Sequence, residues 1–119
     1  MKKRNFTFAL MISVLLIGCE GDMCENEISQ SIISPSGSYI AYVFSRNCGA
    51  TTGFNKQVSV LPSNEKPLVD SGNLYINSKQ IPVHLQWQND KVLKISGAIN
   101  SSIIKQETTT EGVNVIYEP

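Results

Sequence analysis

Three side chains able to form covalent or metal bonds stand early in this chain: Cys19, Cys24 and Cys48. A thiol can carry an acyl group, join a disulfide or ligate zinc as the thiolate. The spacing contains no C-x-x-C pair and no histidine stands beside it, so neither a redox-active dithiol nor a metal centre is expected. His84 is the single histidine. Its neighbours Val83 and Leu85 place it on the exposed face of a strand, with no paired acid or serine motif to make it a catalytic base. Asp70 and Asp90 flank turns, where aspartate serves the backbone. No catalytic residue, metal ligand or cofactor is therefore expected. A small hydrolase using Asp70, Asp90 or His84 is the weakest alternative.

The elements that carry these residues begin with an address. Lys2, Lys3 and Arg4 precede an uncharged run from Phe6 to Gly18. At about 13 residues it has the length of a signal-peptide core and falls short of the roughly 20 that a spanning helix needs. The run closes on Leu16-Ile17-Gly18-Cys19, which resembles the lipobox of bacterial lipoproteins. That resemblance implies recognition of Leu16, Ile17 and Gly18 by a signal peptidase, cleavage before Cys19, and diacylglycerol on the Cys19 sulfur. The expected organisation is a helical signal peptide over 1–18, an acidic lipidated tether over 19–26 and a β domain over 27–119. In enteric lipoproteins an aspartate after the cysteine retains the protein in the inner membrane. Glu20 is not that signal, so the periplasmic face of the outer membrane is the expected address.

The whole chain has 119 residues, 41% hydrophobic, with ten basic and ten acidic side chains and a net charge of zero. Removing residues 1–18 leaves 101 residues carrying seven bases and ten acids, a balance of −3. A mildly acidic domain gains nothing from nucleic acid or anionic lipid, so the acyl chains must supply membrane attachment. The expected partners are the membrane, through the lipid, and an envelope protein or glycan. Nucleic acid is not among them.

With Cys19 assigned to lipid, Cys24 and Cys48 remain as an even pair in an oxidising compartment, and a disulfide between them is expected. Five residues separate Cys19 from Cys24, a tether reaching at most about 17 Å when extended. The domain should therefore lie against the membrane.

From Glu27 onward, period-two alternation and short apolar runs are broken by Gly, Pro, Asn and Ser clusters, the pattern of an antiparallel all-β domain. Strands are expected at Glu27–Ile33, Tyr39–Arg46, Phe54–Leu61, Asn73–Asn77, Val83–Gln88 and Val92–Ser96, with a final hairpin of Ile103–Thr108 and Gly112–Tyr117. Tyr39–Arg46 is apolar on both faces and should be central. Trp87 shares its face with Val83 and Leu85 and belongs to the core. The segments from Ser34 to Val43 and from Leu85 to Ile95 each resemble a strand, turn and strand of TolB-like β-propeller blades. A ring needs at least four blades, so the likeness implies local hairpins within a sheet or sandwich of about seven or eight strands.

The most distinctive segment is Arg46-Asn47-Cys48-Gly49-Ala50-Thr51-Thr52-Gly53-Phe54. It resembles the R-[DN]-C-G-A-T-T-G-F signature of a family of small proteobacterial proteins that carries no assigned activity. Arg46, Asn47, Gly49, Thr51, Thr52, Gly53 and Phe54 could present amides and hydroxyls to an anion or sugar. The competing structural reading has the glycines supplying positive φ and the threonines satisfying local backbone groups. Ser71-Gly72-Asn73-Leu74-Tyr75 resembles the S-G-x-x-Y loop of periplasmic lysozyme inhibitors, which implies an inhibitory loop as a further alternative. A noncatalytic envelope lipoprotein that binds a partner is the function these features favour.

Overall fold

The computed structural model describes residues 24–49, 54–66 and 70–119, and the expected signal peptide, with Leu16, Ile17, Gly18 and Cys19, lies outside them. Among the described residues nine strands follow in order: β1 (Glu25–Ile33), β2 (Tyr39–Asn47), β3 (Asn55–Pro62), β4 (Tyr75–Asn77), β5 (His84–Asn89), β6 (Val92–Ser96), β7 (Ile103–Gln106), β8 (Thr109–Thr110) and β9 (Val113–Glu118). They form one sheet in the order β1-β2-β3-β4-β7 and another in the order β5-β6-β9-β8. The protein is all-β, and the two sheets share one core. Ala41, Val43, Val58, Val60, Leu74 and Tyr75 come from the first sheet and its β3–β4 connection. Leu85, Leu93, Ile95, Val113 and Val115 come from the second.

β2 is an interior strand, paired on both sides by β1 and β3, as its two apolar faces require, though β3 stands at the middle of the sheet. Ala41 and Val43 enter the shared core, while Tyr42 and Phe44 form a second cluster with Leu61 and Ile40 on the outer face. Residues 70–72 of the β3–β4 connection lie over that outer face. The Asp70 carbonyl accepts from Asn26 Nδ2 at 2.8 Å, Gly72 N–H donates to Gln57 Oε1, and Lys105 Nζ donates to the Gly72 carbonyl at 3.2 Å. Only glycine fits at 72, because a Cβ there would stand 2.8 Å from the Val58 carbonyl and 2.9 Å from that of Tyr75.

β4 is shorter than the alternation predicts. Asn73 joins no backbone ladder: its N–H donates to Ser59 Oγ at 3.0 Å, and its side chain accepts from Val60 N–H at 3.0 Å and donates to the Val60 carbonyl at 2.8 Å. An amide side chain thus replaces one rung of the ladder.

The expected final hairpin is corrected. Ile103–Gln106 pairs with β4 in the first sheet, and only Thr109–Thr110 pairs with β9. The chain changes sheets at Glu107 and Thr108. Glu107 N–H donates to the Leu74 carbonyl, Thr108 carbonyl accepts from Val115 N–H, and Tyr117 Oη donates to the Glu107 carbonyl at 2.6 Å. This crossover lets β9 run parallel to β6, the one parallel pair among the described strands. A parallel neighbour needs a long connection, and β7 lies within it.

The two blade-like hairpins exist, one in each sheet, and their turns meet. Trp87 packs partly buried against the core, stacks on Tyr39 and donates from Nε1 to the Ile32 carbonyl at 3.0 Å. Beside it Lys91 Nζ donates to Tyr39 Oη and stands 5.2 Å from that ring's centroid.

Candidate functional site

Strand register gathers the distinctive residues at one end of the first sheet. Glu25 faces Asn47 in the first rung of β1 and β2, and the Cys24–Cys48 disulfide closes the ladder just beyond it. Antiparallel partners share a face and successive residues alternate, so Arg46 and Asn47 are separated despite being neighbours in sequence. Arg46 joins the outer face, where its Nη1 donates to Asn26 Oδ1 at 2.7 Å. Asn47 lies on the inner face, and its Oδ1 accepts from Gly49 N–H at 3.2 Å. Gly49 has φ of 125°, so the turn uses a conformation that favours glycine. Thr51, Thr52 and Gly53 lie outside the described residues.

Asn47 and Phe54 meet in an open cleft of about 370 Å³, lined also by Glu25, Asn26, Glu27 and Ser45. Phe54 is 54% exposed. The cleft offers two carboxylates, two amides, a hydroxyl and an aromatic face. Glu25, Asn26, Glu27 and Ser45 are not among the residues expected here. Their signal was the i, i+2 spacing of the two acids, which puts them on one face once β1 starts at Glu25.

The other polar candidates stand apart. His84 is exposed at the start of β5, and among the described residues no three His, Cys, Asp or Glu side chains gather to hold a metal ion. The segment from Ser71 to Tyr75 is structural at its centre: Gly72, Leu74 and Tyr75 are buried.

Asp90 joins the sheets. Its Oδ1 accepts from Ser36 N–H at 2.9 Å and its Oδ2 from the Ser36 hydroxyl, tying the β5–β6 turn to the β1–β2 turn. The Ser36 hydroxyl, then the Ser36 N–H, hold this carboxyl below its ordinary value of 3.8. A depressed folded pKa contributes stability that is present above the unfolded value and lost as pH falls through the folded one. The urea midpoint of the native protein should therefore exceed that of Asp90→Asn at neutral pH. The gap should close below the ordinary carboxyl range; a gap that persists there would assign the effect to packing.

No protein-family model, curated protein or solved structure matches this chain.

Proposed function

We propose that this chain is a lipoprotein of the bacterial cell envelope, attached through lipid on Cys19 and carrying a noncatalytic β-sandwich that binds an envelope protein or glycan. The observation that carries the reading is the order of a basic start, a short apolar run and Leu16-Ile17-Gly18-Cys19. Five residues later Cys24 is already in the fold, clamped to Cys48. Diacylglycerol with a further acyl chain on the amine would meet the two-signal requirement for stable anchoring, and a domain of charge −3 adds little of its own. The outer membrane is the address favoured by Glu20.

The dispersal of the polar candidates supports a noncatalytic role. Asp90 is occupied by Ser36 at one end of the β5–β6 hairpin, His84 stands at the other, and Asp70 lies over the opposite sheet's outer face. General acid–base work needs such groups within hydrogen-bond reach of one substrate.

Metabolic palmitate labelling tests the anchor. The native chain should take up label and fractionate with membranes, and Cys19→Ala should do neither. Label that persists in the alanine variant would refute the assignment.

A further inference from the structure

The topology makes the two ends of the sandwich unlike. The end bearing the cystine collects the start of β1, the segment entering β3 at Phe54, the 78–83 connection from β4 to β5, and the 97–102 connection from β6 to β7. Among the described residues six large apolar side chains are exposed, and three belong to this end: Phe54 at 54%, Ile99 at 55% and Ile104, the second residue of β7, at 67%. Ile28 and Ile116 lie along strands, and Ile33 alone adjoins the far turns. That far end otherwise presents Ser36, Lys91, Glu107 and Glu111, all exposed. Scattered single apolar residues need no explanation, but three on the loops and strand starts of one end do.

We propose that the cystine end is a membrane-contacting surface, with Phe54, Ile99 and Ile104 entering the interfacial layer of the bilayer that holds the Cys19 lipid. The inference rests on the anchor reading above and goes beyond it: a short lipid tether brings the domain to the membrane but does not by itself choose the face that meets it. The occupant is argued from the chain itself. Cys24 belongs to this end, and the tether from Cys19 spans at most about 17 Å, so this end is held next to the bilayer. A short tether also makes the second contact intramolecular, with an effective concentration in the millimolar range, so a weak apolar contact becomes populated. Lys79, exposed on the 78–83 connection, supplies a cation at headgroup level. Glu25 and Glu27 line the open cleft beside Phe54, where they remain hydrated. Insertion is therefore shallow and confined to the apolar tips.

The test uses the full acylated chain, labelled with palmitate, purified in detergent and reconstituted into phosphatidylethanolamine–phosphatidylglycerol vesicles with plain or brominated acyl chains. A tryptophan is added by Phe54→Trp in one variant and Ile99→Trp in another, and native Trp87, beside the far turns, is the internal reference. Emission from each added tryptophan should fall about twofold in brominated vesicles, the depth expected for an interfacial aromatic side chain, while the native protein stays unchanged. Labelled protein whose added tryptophans emit equally in both vesicles overturns the inference and leaves the end free for a protein partner. Equal quenching of Trp87 overturns it too, because the domain would then lie on its side. Protein that takes up no label refutes the anchor reading, and the inference falls with it.

Discussion

Replacing Cys24 and Cys48 together with alanine should lower the folding free energy by about 3.5 kcal/mol, on the chain-entropy account of a loop closed over 24 residues. For a domain of this size the loss corresponds to a fall of roughly 15–25 °C in thermal midpoint. The position of the bond gives it this weight. β1 is an edge strand that pairs only with β2, and the register slips between Ile28 and Gln30, so its first rungs depend on a ladder already broken by a bulge. The cystine lies at the end of that ladder, beyond the pair Glu25–Asn47. Without it, the rungs from Glu25 to Ile28 should fray first, taking the Arg46–Asn26 bond and the Asp70 contact on Asn26 with them. Calorimetry measures the total and amide exchange the location. A loss under about 0.5 kcal/mol, within the range of ordinary surface substitutions, would mean the register holds without the bond. The same variant should loosen the cleft, because Glu25, Asn26 and Glu27 all stand on the frayed segment.

What could be read in advance follows from what determines each feature. β2, β5 and β6 are legible because side-chain alternation is a local property, and the turns at Ser34–Gly37 and Asn89–Lys91 bear residues chosen for their backbone conformations. Gly37, with φ of 82°, is such a choice. The destination of a strand is not local. Ile103–Gln106 and Val113–Glu118 alternate as a hairpin would, and only the bonds of Glu107, Thr108 and Tyr117 send them to different sheets. The start of β4 is not legible for a related reason, since nothing around Asn73 marks its side chain as the partner of Val60.

The candidate site divides in the same way. Composition singles out Arg46 to Phe54, yet a strand sends alternate residues to opposite faces, so Asn47 and Phe54 reach the cleft while Arg46 does not. The acids of the cleft come from about 20 residues earlier and become neighbours only through the β1–β2 register.

Asn77→Ala should cost about 3 kcal/mol, more than its polar character and its place at the end of a three-residue strand suggest. Asn77 has no exposed surface. Its Nδ2 donates to Tyr75 Oη at 3.0 Å and to Asn100 Oδ1 at 3.1 Å, and its Oδ1 accepts from Ser102 Oγ at 2.7 Å and Lys79 N–H at 2.9 Å. One side chain therefore joins β4, the 78–83 connection and the 97–102 connection. Alanine deprives all four partners at once, and a buried donor or acceptor without a partner carries its full desolvation penalty. Ser102 Oγ retains Asn100 Oδ1 as a second acceptor and Lys79 is exposed, so the heaviest loss falls at the buried Tyr75 Oη. Chemical denaturation measures the sum, and faster exchange of the Lys79 amide locates it. Asn77→Asp separates the two halves of the network, since a carboxylate keeps the acceptors for Ser102 and Lys79 but loses both donations. Protection of the Lys79 amide should survive in the aspartate variant and disappear in the alanine one. Equal loss in both would mean that the donations to Tyr75 and Asn100, and not the acceptance from Lys79, hold the 78–83 connection in place.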